Sequence, residues 1–166
     1  MTFKVLLSTT VWGEEYIEIF LEYTIKSLLT KDNLKNKKIS NKSEYLIFTK
    51  KKYFKSIQNH SNFKNLKKII NVKLKELSFS KNEGKYLSLK NNQNTSIKYG
   101  YKKHFDYFSF IYPDSIFGEN HFKTILEKVE KGAKVVLCPG PLGIYERFLS
   151  IFKKKKLNNK NISNFI

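Results

Sequence analysis

Residues 105–138 read FDYFSFIYPDSIFGENHFKTILEKVEKGAKVVLC and carry the signals of a strand, a turn, a helix and a second strand. The apolar and aromatic run at 107–112 ends at a proline and a single carboxylate, Asp114. The next segment places its apolar residues at helical spacing and is expected to stop at Gly132; they are Phe122, Ile125, Leu126 and Val129. Residues 135–137 then begin the second strand. The pattern predicts a βαβ unit with Asp114 at the carboxyl end of its first strand, the edge where open α/β sheets bind ligands.

The rest of the chain repeats this alternation of strands and helices. Further strands are predicted at residues 3–8, 45–49 and 69–77, and further helices at 14–29, 50–57, 96–104 and 142–152. The sum is a three-layer α/β fold, Rossmann-like, with a mostly parallel sheet of about five strands. Residues 1–152 are predicted to form one domain. Residues 153–166 are predicted to be a basic, polar tail, where a larger enzyme could have been truncated.

The chain is strongly basic, with a formal net charge of +18. That charge comes from 31 lysines spread along the chain and one arginine, Arg147. Sequence-reading nucleic-acid proteins favour arginine, whose planar fork binds phosphate and guanine bidentately. The composition therefore predicts no specific nucleic-acid partner, although weak attraction to polyanions is expected at low salt.

The cysteine content and the hydropathy suggest where the protein works. Cys138 is the single cysteine and lies in an apolar run, so it is expected to be a small buried hydrophobe. A lone cysteine excludes an intramolecular disulfide and fits a reducing compartment. No stretch approaches the roughly 20 apolar residues of a membrane span. The expected location is the cytoplasm.

Right-handed crossovers would place the loops that follow each strand on one rim of the sheet, namely residues 9–13, 114–119 and 139–143. In the first loop, Thr9 and Thr10 offer hydroxyls, Trp12 an aromatic surface and Gly13 a flexible backbone beside a helix N-terminus. These groups suit a nucleotide, and the alternative is that Trp12 is a core anchor. The loop contains neither a GxGxxG nor a Walker motif.

The second loop supplies the candidate metal ligands. Asp114 follows an apolar strand, and a carboxylate there suits a divalent cation, with Glu119 and His121 as further ligands. The alternative is that Asp114 caps a turn or helix and that the other two are solvated. Arg147, as the single arginine, suits a bidentate phosphate or carboxylate partner, and its alternative is a local surface pair.

The order of these elements resembles the nucleotide-binding half of GT-A type glycosyltransferases, the nucleotide-diphospho-sugar transferase fold. The resemblance is carried by the first strand, its loop, a helix ending in Ser27-Leu28-Leu29, and the later strand ending in Pro113-Asp114. It implies that residues 9–13 contact the nucleotide. It also implies that an Asp-x-Asp motif holds Mn²⁺ or Mg²⁺ against the diphosphate. Asp114 matches the first aspartate, but Ile116 stands at the second, so the motif is incomplete.

Three functions follow from these observations. The first is a domain that binds a nucleotide-diphospho-sugar and transfers the glycosyl group to an unidentified acceptor. In it, Thr9 and Trp12 contact the nucleotide, Asp114 positions the diphosphate directly or through a metal, and no catalytic base is assigned. The second, favoured by the incomplete motif, is a non-catalytic α/β ligand-binding or interaction module. The third is a lysine-rich polyanion-binding protein.

Overall fold

The computed structural model describes residues 2–39, 41–77 and 85–138, and these residues form an α/β fold with helices on both faces of one sheet. The strands are β1 (Val5–Thr10), β2 (Glu44–Thr49), β3 (Asn71–Glu76) and β4 (Tyr107–Phe110). All pairings are parallel and the strand order is β3-β2-β1-β4. The predicted three-layer class and parallel sheet are confirmed, with four strands among the described residues where about five were expected.

The connections between the strands are helical. The first comprises α1 (Glu14–Ile19), a π-helical turn (Phe20–Thr24) and α2 (Ile25–Leu28), so the predicted helix at 14–29 is confirmed. A 3₁₀ turn (Lys51–Tyr53), α3 (Phe54–Asn59) and α4 (Ser61–Lys67) join β2 to β3; α5 (Lys85–Lys102) precedes β4, and α6 (His121–Glu130) follows it. The sequence had predicted only the last part of α5 and none of α4.

The two central strands, β1 and β2, are buried almost throughout and send successive side chains to opposite faces of the sheet, as expected for buried parallel strands. On one face, Leu7 and Ile47 belong to the larger core cluster, which α1 to α4 and α6 complete with Phe20, Ile25, Ile57, Leu66 and Leu126. On the other face, Leu6, Leu46 and Phe48 form a smaller cluster with Phe105 and Leu77, against which Tyr99 of α5 packs. The two faces are called below the α1–α2 side and the α5 side.

The prediction of a strand at 135–137 is wrong. Residues 135–138 form no strand, and Val135 and Leu137 are 75% and 85% exposed, while Val136 alone packs against the core. Cys138 is consequently exposed, which corrects its expected burial. Partial burial nevertheless raises the pKa of the Cys138 thiol.

The position of α6 explains why no strand follows it. In a βαβ unit the helix returns the chain to the amino edge of the sheet, but both ends of α6 contact the connection between α2 and β2. The Phe122 N–H donates to Asn33 Oδ1 at 3.1 Å, and Lys38 Nζ lies 2.6 Å from the Glu130 carboxylate. Lys38 itself lies beside the start of β1, because its carbonyl accepts from the Phe3 N–H at 2.7 Å. The loop before α6, rather than α6 itself, therefore carries the chain back to the amino edge of the sheet.

Several predictions fall outside the described residues. They are the turn at 139–143, the helix at 142–152, Arg147 and the tail at 153–166. Within the described ranges, no helix combines the length and apolarity that a bilayer span requires.

Candidate functional site

The sheet has its topological switch point between β1 and β4. From β1 the chain moves to β2 and then β3 on one side, and α5 carries it back across to β4 on the other. In open α/β sheets, ligands bind outside the carboxyl ends of the strands at this point. The loops that follow β1 and β4 leave the same edge, because the strands are parallel and Ile111 N–H still donates to the Ser8 carbonyl at 2.9 Å. The space between residues 11–13 and 112–115 is called here the switch-point crevice.

The loop after β4 is fixed by side chains of the first helical connection. Thr24 Oγ1 donates to the Pro113 carbonyl at 2.6 Å, and Ser27 Oγ accepts from the Phe117 N–H at 3.1 Å. Asn33 holds the end of the loop through both atoms of its side-chain amide. The loop therefore presents its remaining groups from a preorganised backbone on the α1–α2 side of the crevice.

Asp114 lies at the exposed tip of this loop. The Ser115 N–H donates to the Tyr112 carbonyl at 3.2 Å, so Pro113 and Asp114 are the central residues of a tight turn. The Asp114 side chain enters no hydrogen bond or ion pair among the described residues, and the nearest following helix begins seven residues later, at His121. The structure thus gives no support to a capping role for Asp114, and its carboxylate is available to a ligand.

Asp114, Glu119 and His121 are not gathered into one metal site, since the described residues contain no group of three such side chains that could share a metal ion. The His121 ring packs instead against Phe117 and Phe122, with ring centroids 4.9 and 5.7 Å away. Burial lowers the His121 pKa and favours the neutral ring. Asp114 alone fits a divalent cation only where ligand phosphates complete the coordination, which is a common arrangement for Mg²⁺.

Thr9 is buried inside the fold. Its Oγ1 donates to the Ile111 carbonyl at 2.9 Å and lies 2.6 Å from the Tyr45 hydroxyl, so the Tyr45 O–H donates to Thr9. Burial raises the pKa of Tyr45, which keeps this donor protonated. Thr9 therefore joins β1, β2 and the end of β4, and its hydroxyl is used within the protein rather than offered to the crevice.

Trp12 and Gly13 form the other side of the crevice. Trp12 is half-buried and packs against the cluster on the α5 side, in keeping with an anchoring role for part of the ring. Gly13 has φ +89°, a left-handed conformation that favours glycine, and directly precedes α1. The first turn of α1 carries Glu14 and Glu15, both exposed. With two carboxylates there and Asp114 opposite, a diphosphate in the crevice would need a cation beside it.

Sequence reasoning missed a polar face on α5. Ser88, Asn92 and Ser96, called here the α5 polar strip, recur every four residues and are buried, and Gly100 continues the series. Ser96 Oγ lies 2.7 Å from Ser8 Oγ in β1 and donates to the Asn92 carbonyl at 3.0 Å. The four-residue spacing in the sequence marks these residues as one face of a helix, but it does not show that this face is buried.

Three buried polar atoms in the described part of the chain have no hydrogen-bond partner. They are Ser88 Oγ, Asn92 Nδ2 and Thr49 Oγ1. Such a group costs about 1–3 kcal/mol when it is buried without a partner. Thr49 follows Phe48 in β2 and so faces the α1–α2 side, whereas the other two atoms share the α5 side. Two of these three unpartnered atoms therefore lie on the same face of α5.

Five lysines lie together at the connection between α2 and β2 and the start of α6. A surface depression there is lined by Lys31, Asp32, Lys35, Asn36, Lys37, Lys38 and Lys123. No aromatic side chain lines it. Stacking on aromatic rings is how proteins hold single-stranded nucleic acid, so this surface offers charge without a base-binding platform.

Comparison of the chain with protein-family models, with curated proteins and with solved structures gave no match.

Proposed function

We propose that this domain binds a nucleotide-diphospho-sugar in the switch-point crevice. The observation that carries the proposal is Asp114, an exposed carboxylate that has no partner among the described residues, on a loop that is otherwise fixed by hydrogen bonds. It follows β4, one of the two strands that flank the switch point. The same loop carries a second carboxylate, Glu119, which also has no partner among the described residues, but Asp114 follows the end of β4 more closely. Ligands of open α/β sheets bind at this edge, which favours Asp114 as the group that meets one.

The diphosphate would lie between Asp114 and the loop after β1. Because Glu14, Glu15 and Asp114 are all negatively charged, a bare diphosphate would be repelled, and a divalent cation would reverse that repulsion. Mg²⁺ or Mn²⁺ would be held by Asp114 and by phosphate oxygens together, and would neutralise the charge of the diphosphate. The exposed part of Trp12 would contact the nucleoside.

Glycosyl transfer is the reaction that fits this ligand best. It would break the bond between the sugar and the diphosphate, and the cation would stabilise the departing diphosphate. Ile116, where a second carboxylate would strengthen the metal site, favours a second candidate, an α/β module that binds the same ligand without transferring the sugar. The two candidates share the binding step and differ in whether free nucleoside diphosphate is released.

Calorimetric titration of UDP-glucose and GDP-mannose, with and without Mn²⁺ or Mg²⁺, tests the binding step. We expect binding that requires the metal, and Asp114→Asn should weaken it about 10- to 100-fold, because the amide keeps the shape but loses the charge. Asp106→Asn is the matched control. Asp106 is an exposed carboxylate at the other end of the same strand, where its Oδ2 accepts from the Lys4 N–H at 2.7 Å.

Each result has a distinct meaning. If the wild-type protein binds neither nucleotide sugar under any metal condition, the proposed function is wrong. If it binds them equally well without metal and Asp114→Asn has no effect, the ligand lies elsewhere and Asp114 loses its role. Release of nucleoside diphosphate during prolonged incubation would favour transfer or hydrolysis, and binding without release would favour the module.

A further inference from the structure

We infer that the α5 polar strip forms the carbohydrate side of the crevice, where Ser88 and Asn92 hydrogen-bond hydroxyl groups of the sugar. This inference rests on the proposed function and states which part of the ligand lies toward α5. It is carried by the placement of the strip, by its unsatisfied atoms and by its chemistry.

The placement follows from two contacts between α5 and β1. A Cβ added at Gly100 would lie 3.1 Å from Leu6 Cδ2, and Ser96 Oγ lies 2.7 Å from Ser8 Oγ. Four residues of helix rise about 6 Å along the helix axis, and two residues of strand rise about 6.6 Å. Every fourth residue of α5 can therefore face every second residue of β1. Continuing the series at this spacing would place Asn92 opposite Thr10 and Ser88 opposite Trp12. The strip thus runs along β1 up to the loop that borders the crevice.

The hydrogen-bond deficit lies at the crevice end of the strip. Ser96, the member farthest from the edge, is bonded to Ser8 and to the Asn92 carbonyl. Asn92 Nδ2 and Ser88 Oγ, nearer the edge, have no partner. Buried polar groups in native proteins are almost always satisfied, so two unsatisfied atoms on consecutive turns indicate missing partners from outside the chain. Ser88 lies in the first turn of α5, and both side chains are buried, so a sugar would have to displace the start of α5 to reach them.

The chemistry of the strip favours a neutral, hydroxylated group. Hydroxyls and an amide line it, and it contains no charged side chain. Phosphates are bound more strongly by charged donors, which the strip lacks. A serine hydroxyl both donates and accepts, and an asparagine amide donates, so these groups match the hydroxyls of a sugar.

The test separates the sugar from the nucleotide. Wild type, Ser88→Ala and Asn92→Leu are titrated with UDP and UDP-glucose, and with GDP and GDP-mannose, in the presence of Mn²⁺. We expect each variant to keep the nucleoside-diphosphate affinity and to lose about three- to tenfold of affinity for at least one nucleotide sugar. Thermal unfolding of both variants should occur at or above the wild-type temperature, because an unsatisfied polar group has been removed.

Ser96→Ala is the matched control, because Ser96 lies on the same helix face but has its partners inside the protein. It should lower the unfolding temperature and leave the difference between UDP and UDP-glucose unchanged. If one of the two variants, Ser88→Ala or Asn92→Leu, does not fold, the other still tests the inference.

Three outcomes would overturn the inference. Unchanged sugar affinity in the folded variants would do so while leaving the proposed function standing. Lower stability of Ser88→Ala with unchanged sugar affinity would mean that the strip holds internal water instead. Failure of the wild-type protein to bind either the nucleoside diphosphates or their sugars would remove the proposed function, and this inference with it.

Discussion

Gly100→Ala should destabilise the protein, although the same change in most helix interiors is stabilising. Alanine exceeds glycine in helix propensity by about 1 kcal/mol. Gly100, however, lies in α5 directly against the sheet, and a Cβ built on it would lie 2.2 Å from Phe108 Cε1 and 3.1 Å from Leu6 Cδ2. Non-bonded carbons prefer about 3.5–4.0 Å, so the Phe108 ring or the helix must move by roughly 1.5 Å.

The size of the effect follows from these two opposing contributions. Overpacking of a core contact costs about 1–3 kcal/mol, and the gain in helix propensity offsets part of that cost. We therefore expect a net loss of about 1–2 kcal/mol in the free energy of unfolding. For a domain of this size that loss lowers the unfolding temperature by roughly 2–8 °C.

Chemical denaturation and thermal unfolding measure the change. Asn94→Ala is the control at an exposed position of the same helix, where better helix propensity should give a small gain. In a Phe108→Leu background, Gly100→Ala should cost less, because the obstructing ring is absent. If Gly100→Ala is as stable as wild type or more so, α5 does not lie this close to β1 and β4. The placement of Ser88 beside the crevice would then be wrong as well.

Two further predictions concern polar networks. Thr9→Val leaves the buried Tyr45 hydroxyl and the Ile111 carbonyl without their shared partner, so urea denaturation should show a loss of about 1–3 kcal/mol. Unchanged stability would mean that this network does not form. Burial raises the Glu44 pKa, but hydrogen bonds from Lys73 and Tyr99 outweigh this and hold it below its ordinary value. The stability from Glu44 is therefore full above its unfolded pKa, about 4.5, and lost as pH falls through the lower folded value. Glu44→Gln should be less stable than wild type at pH 7, and the difference should shrink below pH 4.5; a pH-independent difference would contradict this.

Much of the sheet could be predicted because its signals are local. The first helical connection shows this best. Its apolar residues at helical spacing, Ile17, Leu21, Ile25 and Leu28, are buried. Its charged residues at four-residue spacing, Glu14, Glu18, Glu22 and Lys26, are exposed. Side-chain periodicity reports the environment of each residue directly, so it located this connection to within one residue. The strand predicted at 69–77 is likewise confirmed as β3, which lies at an edge of the sheet.

The extent of α5 could not be predicted in the same way. Several of the residues that face the sheet from α5 are polar or small. Apolar periodicity therefore predicts a helix only at 96–104. The helix begins at Lys85. The burial of the α5 polar strip was not predicted for the same reason, since serine and asparagine at helical spacing usually indicate a solvated face. Their burial depends on packing against β1, where Ser8 lies opposite Ser96, and such a match between distant elements is not a local signal.

The strand expected at 135–137 failed for a different physical reason. Three consecutive apolar residues indicate a strand only where the chain returns to an open sheet edge. The loop from Pro113 to Phe117 already descends along the first helical connection, so α6 begins beside Asn33 instead of at the carboxyl edge. Asp114 was nevertheless placed correctly at the carboxyl end of β4, because that prediction depended on the strand before it.

Around β1 and β4, the polar side chains on the two sides of the sheet differ in how fully their hydrogen bonds are satisfied. On the α1–α2 side they are satisfied by the protein: Thr9 bonds to Tyr45 and Ile111, and Thr24 bonds to the loop that carries Asp114. On the α5 side, Ser88 and Asn92 keep unused atoms. In the proposed function, the first side would hold Asp114 in place and the second would offer hydrogen bonds to the ligand. Metal dependence should therefore follow Asp114 for every nucleotide sugar, whereas preference among sugars should follow the α5 polar strip. Variants that altered both properties together would argue against this division.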